Sequence, residues 1–361
     1  MWWPSASSAC RGPERQPPVH FAFDEQQLEF RAQLRAFAEK ECPPAQVREA
    51  WASELGWSRP RWTALAEMGV VGLTVPAEHG GMGLGLVDLV LLLEEAGRAG
   101  LPEPVLETTA LGVPLLLAVP GPVGDAARRR WLPAVAAGEA VVAVGTSSMP
   151  AVPGAGGADL LLLEHGGDVH AVPAAVVSLT PRPALDGARR VAAVDWEPSA
   201  GTVVASGASA RGALAGLGDR AAMGTGAVLV GVADRMIAMA ARYAVERTQF
   251  GKPIGSFQAV KHHLAGALVR VEFARPAVYR AAWSLDAGDP DAGLHASMAK
   301  ALASDAALLA ARTALQVHGA IGYTWEHDLH LWMKRAWSLA PAWGDAAHHR
   351  ARVLELLAGR D

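Results

Sequence analysis

Cysteine is nearly absent from this 361-residue chain. Cys10 and Cys42 alone cannot make a disulfide framework or a cysteine metal site, and such sparing use fits a reducing cytoplasm. There is no long basic block, and 32 basic against 36 acidic residues leave a net charge of -4, so nucleic acid is not an expected partner. No apolar run reads as long and unbroken enough to span a bilayer. The greasiest window, Leu111 to Val119, is short and carries Pro114, with Pro120 after it. Met1 to Pro18 has tryptophans and prolines but no basic segment followed by an apolar one. That excludes a secretory signal and leaves residues 1–20 as an expected flexible extension. Short-period repeats are missing as well, which removes solenoids.

What is present reads as globular. Hydrophobic residues make up 51% and charged residues 19%, at a length that accommodates two or three domains. Helical periodicity begins after Asp24, a candidate N-cap, with Leu28, Phe30, Leu34, Phe37 and Ala38 recurring on one face. Trp51 to Met68 continues helical, Val70 to Val75 reads as a short extended apolar piece, and Leu86 to Gly97 is helical again. After Gly138 the grammar changes to short apolar runs divided by Gly, Pro and Asp: Ala140–Val144, Asp159–Leu163, Val169–Val172, Ala174–Leu179 and Val191–Val194. Four long helical segments follow, over 220–248, 256–287, 293–318 and 327–357, with a break at Pro341 and a kink expected at Pro276. The expected fold is mainly α with a small antiparallel β domain. It comprises a helical N-terminal domain over 21–138, a middle β domain over 139–210 and a C-terminal four-helix bundle over 211–361.

The stretch with most chemical content joins the first two bundle helices: Arg247-Thr248-Gln249-Phe250-Gly251-Lys252-Pro253-Ile254-Gly255-Ser256-Phe257-Gln258. By itself it is an interhelical corner with a fixed cation, a phenyl ring, turn glycines and a proline. Its residue order resembles the Arg-x-Gln-Phe-Gly-x-Pro-Ile-x-x-Phe-Gln signature of acyl-CoA dehydrogenases. Two further segments resemble the same family. They are Pro76-Ala77-Glu78-His79-Gly80-Gly81-Met82-Gly83 in the N-terminal part, and Gln316-Val317-His318-Gly319-Ala320-Ile321-Gly322-Tyr323, where Ala320 replaces a glycine. The resemblance implies FAD as cofactor, with Arg247, Gln249, Phe250, Gln258, Gln316, Val317, Gly319 and Ala320 at its ADP end, on a flavin held mainly by a neighbouring subunit. A guanidinium suits a pyrophosphate because it offers two parallel charge-assisted bonds. It also implies α,β-desaturation of an acyl-CoA, in which a carboxylate removes the α-proton while the β-hydride passes to the flavin, and an electron-acceptor flavoprotein as partner.

The residues for that chemistry are missing from their expected places. The family's base position falls on Trp343 and its alternative on Ala221, neither of which accepts a proton. Asp345 and Asp219 are the nearest carboxylates, and both read more readily as caps or surface groups. The ring-binding segment of the middle domain keeps little beyond Thr146 and Ser147, which could still donate hydrogen bonds. The pattern resembles the base-lacking subunit of bacterial heteromeric acyl-CoA dehydrogenases, among them relatives acting on sterol-derived thioesters. The expected assembly is a heterotetramer with a related subunit, or else a homo-oligomer. A self-sufficient homomer with Asp345 as displaced base and a non-catalytic scaffold of the same fold are the alternatives. The adjacent pairs His262-His263 and His348-His349 do not face one ligand on a helix, so no metal site is expected. Trp283, Trp325, Trp332 and Trp337 read as bundle core or interface, Glu326 as a partner for a bundle arginine, and Asp234 and Arg235 as polar-face residues.

Overall fold

A computed structural model describes residues 22–359; the expected extension at 1–20 and Cys10 lie outside the described residues. The fold is mainly helical, with a helical N-terminal domain, a small β domain and a C-terminal bundle. The N-terminal part contains α1 (Glu25–Glu41), α2 (Pro44–Ala52), α3 (Arg59–Glu67), α4 (Leu86–Ala99), a π-helical turn at Leu106–Gly112, α5 (Val113–Ala118) and α6 (Gly121–Ala136). Asp24 caps α1 in a reciprocal box with Gln27. The single helix expected over Trp51–Met68 is interrupted between Ser53 and Ser58, where Gly56 takes a left-handed φ of 80°. Val70 to Val75 is buried turn, not strand. Its carbonyls are taken by the glycine corner, with Met82 N–H donating to Gly72 O and Gly83 N–H to Val75 O.

The middle part has two sheets. One has the order β1-β3-β4-β7, from β1 (Val142–Gly145), β3 (Leu160–His165), β4 (Asp168–Pro173) and β7 (Val203–Ala205). The other runs β2-β6-β5, from β2 (Val152–Pro153), β6 (Val191–Asp195) and β5 (Ser178–Arg182). The sheet is not wholly antiparallel. β1 pairs parallel with β3, Val142 opposite Leu160, because the connection between them crosses over through β2 in the second sheet. The Ala174–Leu179 run divides into a 3-10 turn at Ala174–Val176 and the start of β5.

The C-terminal part contains α7 (Gly207–Leu214), α8 (Leu217–Glu246), α9 (Gln258–Asp286), α10 (Ala292–His318), α11 (Leu329–Leu339) and α12 (Ala346–Ala358). α10 packs on α8, α9 and α12, and α11 packs on α8, so the broken fourth segment closes the bundle. α9 continues as α-helix through Pro276. Contrary to the expectation that no run is long and apolar enough to span a bilayer, Gly207–Glu246 is, with a mean hydropathy of 1.3 over its most apolar window. That window is 83% buried, so the stretch is the core helix of this bundle. Asp234 and Arg235, expected on a polar face, turn inward: Asp234 pairs with Arg98, and the Arg235 guanidinium lies 5.1 Å from the Trp332 ring centroid.

The N-terminal part is locked to the bundle where α4 crosses α8. A Cβ on Gly97 would overlap the Val228 carbonyl, and one on Gly231 would overlap the Glu94 carbonyl. Two glycines therefore set the interhelical distance, and on either side Glu94 and Glu95 are held by arginines: Arg275 on Glu94, Arg31 and Arg35 on Glu95.

Candidate functional site

Arg247 is the C-cap of α8, extended at φ -75°, ψ 118°, so its side chain leaves the helix end rather than folding along it. The guanidinium is exposed and has no hydrogen bond or ion pair among the described residues. The next residues form a two-residue hairpin, Thr248 opposite Pro253 and Gln249 opposite Lys252, with Phe250 (φ 52°) and Gly251 (φ 79°) at the tip. Positive φ at both tip positions is the pattern of a type I′ turn, normally given to Asn or Gly. Phenylalanine there is unfavourable for the backbone, yet the residue is 91% exposed, its ring edge-on to Phe257 with the centroids 6.1 Å apart. Gln249 donates to its neighbour's carbonyl, Thr248 O, and Gln258 is exposed at the first turn of α9.

The second predicted segment lies beside this corner. Tyr243, one turn before Arg247, stacks on His318 at 4.6 Å, and His327 meets the His318 ring at 4.5 Å. Burial pushes both histidines below their ordinary pKa and keeps them neutral, and His318 Nδ1 bonds Ala314 O. Gln316 and Ala320 are exposed while Val317 is buried. Gly319 has φ 62° and ψ -139°, and nothing lies within 4 Å of where its Cβ would be. The glycine is required by the backbone, and the space over it is open. Arg247, Gln249, Phe250, Gln258, Gln316, Gly319 and Ala320 thus share one exposed end of the bundle, with Val317 beneath them.

The expected base positions lie toward the opposite end of the bundle. Lys300 of α10 reaches the loop after α11, donating to Ala340 O (2.8 Å), Gly344 O (3.0 Å) and Ser304 Oγ (3.0 Å). It stands eighteen residues before His318 on one helix, ~27 Å at the α-helical rise. Trp343 has φ 58°, and its carbonyl accepts from His349 Nε2 at 3.0 Å. Burial pushes the Lys300 ammonium down to about 8, and burial with the nearby Lys300 charge pushes His349 down to about 4. Asp345 is the N-cap of α12. The His348 amide donates to it at 2.8 Å and holds its carboxylate below the usual range, which weakens it as a base. Asp219 is paired with Arg352, and Ala221 is fully buried. Thr146 Oγ1 is bonded to Ser148 Oγ, and the Ser147 amide donates to Glu164 at 2.6 Å, so that backbone donor is already used.

An open cleft of about 560 Å³ separates this loop from the β domain, between Met149, Pro150, Arg189, Trp343 and His348. The residues at the Arg247 corner fit an anionic dinucleotide: a guanidinium with no partner among the described residues, an exposed ring and an open glycine. The cleft at Trp343 does not fit a redox-active ring with a base above it, since an indole stands at the base position.

Lys300 and Arg189 were missed in the sequence. Lys300 had a signal, a single cation within the alanine run Ala299-Lys300-Ala301; Arg189, in an irregular Gly-Arg-rich segment, had none. Glu326 presents its carbonyl to Arg48, whose carboxylate partner is Asp328. Trp332 is buried and donates to Arg98 O, while Trp325 is 61% exposed and stacks on His330. His348 is exposed and His349 buried.

Residues 24–139 match the acyl-CoA dehydrogenase N-terminal domain, and residues 216–357 match the acyl-CoA dehydrogenase C-terminal domain. Acyl-CoA dehydrogenase IpdE2 of Mycolicibacterium smegmatis is 34% identical over 325 residues, which is 90% of this chain and 96% of that protein. Among solved structures, the ChsE4-ChsE5 complex from Mycobacterium tuberculosis gives a TM-score of 0.82 at 25% identity, covering 94% of this chain and 99% of that one. A steroid ACAD, Tcur3481-Tcur3483, gives 0.81 at 26% identity, covering 93% and 98%. The chain belongs to the acyl-CoA dehydrogenase family, flavin-dependent oxidoreductases acting on CH-CH groups.

Proposed function

We propose that this chain is the base-lacking subunit of a heteromeric acyl-CoA dehydrogenase, and that it holds the ADP end of an FAD whose ring is seated in a related partner subunit. The assembly desaturates an acyl-CoA at the α,β position, with a bulky, sterol-derived acyl group as the substrate class, and passes electrons to an acceptor flavoprotein. The observation that carries this reading is the division of the bundle. The free Arg247 and the exposed Phe250 stand at one end. At the other, Trp343 occupies the base position with its backbone tied down by His349 and its loop by Lys300. Two similar structures support it, since ChsE4-ChsE5 is a two-component complex and Tcur3481-Tcur3483 is a steroid ACAD with a two-part name.

In this arrangement Arg247 neutralises the pyrophosphate, the open face over Gly319 admits the backbone-close part of the tail, and Phe250 reaches across the subunit boundary. The neutral, stacked His318 and Tyr243 hold the two segments in register. The flavin, when bound, supplies the acceptor for the β-hydride; the carboxylate that takes the α-proton comes from the partner.

Co-expression with a related subunit that retains the glutamate tests this. The chain by itself is expected to purify colourless and inert toward acyl-CoA, and the pair yellow and active. A chain that purifies yellow and is bleached by acyl-CoA without a partner overturns the proposal.

A further inference from the structure

A cavity of about 140 Å³ lies where α1, the turn into α2, α4, α8 and α11 meet. Ala38, Pro43, Pro44 and Ala99 make its apolar walls, and the Trp332 indole, whose N–H is spent on Arg98 O, completes them. Five charged side chains line the same space, Arg35, Arg98 and Arg235 against Glu39 and Glu95. Most of this charge is already committed. Both Glu95 oxygens are held by Arg35, with Arg31 on one of them, and Arg98 is paired with Asp234. Burial pushes the Cys42 thiol, also on the cavity, up to about 12, so it adds no negative charge.

Arg235 is the exception. Its Nε is buried without a partner, and its guanidinium makes no hydrogen bond or ion pair among the described residues. It lies over the Trp332 ring, 5.1 Å from the centroid, a contact that uses the flat face of a guanidinium and leaves free the edge that carries its N–H groups. The charges within reach are Arg98 and Arg242 of its own sign, and Glu39 and Asp328 of the other. Asp328 is taken by Arg48, and Glu39 is exposed at the rim with no ion pair among the described residues. Buried polar groups are nearly always paired, so a cation with an orphaned N–H on a cavity of this size marks a missing acceptor. The space holds on the order of five waters at ~30 Å³ each, enough for a compact anion and too little for a nucleotide or an acyl chain. Water offers an acceptor without charge, whereas an oxyanion gives the guanidinium two parallel charge-assisted bonds.

We infer that this cavity is a binding site for a single phosphate-sized oxyanion, held on the free edge of Arg235 with Arg98 and Arg35 beside it. Occupied, the site ties α1 and the start of α2 to α8 and α11. Arg235 stands twelve residues before Arg247 on α8, ~18 Å at the α-helical rise. The site is therefore separate from the flavin corner, and the inference does not rest on the role of that corner.

The test is calorimetric titration of the full chain, together with its partner where the two co-purify, with inorganic phosphate and with sodium chloride at matched ionic strength. Phosphate is expected to bind saturably at one site per chain, and chloride not. Arg235→Met, which removes the charge and keeps an unbranched apolar stem, is expected to weaken phosphate about tenfold or more. Glu39→Gln, on the exposed rim, removes the competing carboxylate and is expected to strengthen phosphate about threefold. Arg247→Ala should leave the affinity within about twofold, which separates this site from the flavin corner. Glycerol 3-phosphate bound at least as tightly as phosphate identifies the occupant as the phosphoryl group of a larger molecule, and weaker binding identifies it as the free anion. The melting temperature of each variant reports whether it is folded. Absence of saturable phosphate binding up to about 10 mM overturns the inference and needs no variant. So does unchanged binding by a folded Arg235→Met variant, binding no stronger in Glu39→Gln, or binding lost in Arg247→Ala.

Discussion

Replacing Arg247 by alanine removes an exposed positive charge at the end of α8 without touching any contact among the described residues that holds the chain together. Its backbone amide donates to Tyr243 O and its carbonyl accepts from Ile254, and alanine keeps both. The side chain has no partner to lose, so folding stability should change by less than about 0.5 kcal/mol. Binding is another matter. A charge-assisted hydrogen bond contributes about 1.5–3 kcal/mol, and the guanidinium offers two in parallel, but the site is exposed and screened at physiological salt. A net loss of about 2 kcal/mol is therefore expected, ~30-fold in the dissociation constant of FAD from the assembled enzyme. Flavin absorbance after dialysis, and reconstitution with added FAD, measure it; Arg247→Lys should recover part of the loss, since it restores the charge without the fork. Flavin retention identical to wild type in a folded Arg247→Ala complex would refute the pyrophosphate role.

Three other perturbations probe the frame around the site. Gly231→Ala, whose Cβ meets the Glu94 carbonyl where α4 crosses α8, should destabilise by about 2 kcal/mol or more, while the same change at Gly266, exposed on α9 with nothing near its Cβ, should stabilise by about 0.5–1 kcal/mol. Denaturant midpoints of the two variants on the same side of wild type would sink the crossing argument. His349, held at about 4 against 6.5 unfolded, leaves the unfolded chain with more bound protons between those values, so stability is full above pH 6.5 and falls as pH drops toward 4, by up to roughly 3 kcal/mol at 1.36 kcal/mol per unit. His349→Gln can still donate to Trp343 O and should flatten that slope; an unchanged slope from pH 6.5 to 4 would place the titrating group elsewhere. Asp345→Asn keeps a good cap residue and should leave turnover of the assembled enzyme within about twofold. A fall of about 10²–10⁴-fold would identify Asp345 as the base after all.

The helices were legible because their signals are local. Asp24 and Gln27 form the cap the residue types suggest, and the long bundle segments carry an apolar face along their length. The parallel β1/β3 pair was not, because strand direction depends on where β2 is placed, and Val152-Pro153 is too short to leave a pattern. Val70 to Val75 looks like a strand by composition, but its carbonyl partners are Met82, Gly83 and Leu84, a loop contact no periodicity encodes. The segments around Arg247 and Gly319 stand out as residue order, but the stack of Tyr243 on His318 that brings them together does not, since it joins residues seventy-five positions apart.

Among the described residues, two that are not glycine adopt left-handed backbone, Phe250 and Trp343, and the difference in what surrounds them bears on function. Such conformations cost about 1–3 kcal/mol and persist where neighbours over-determine them. Trp343 meets that condition within the chain. His349 holds its carbonyl, Lys300 holds Gly344 O and Ala340 O, and the ring packs against the main core. Phe250 does not meet it. The two-residue hairpin fixes its backbone, but the residue is 91% exposed, its ring edge-on to Phe257. Asparagine or glycine would build the same turn at lower cost, so the ring is not there for the turn. On the proposed reading its contacts are made outside the chain, against the subunit whose flavin Arg247 holds. A left-handed tryptophan that closes one end of the bundle and a left-handed phenylalanine that reaches out from the other are then two parts of one division of labour.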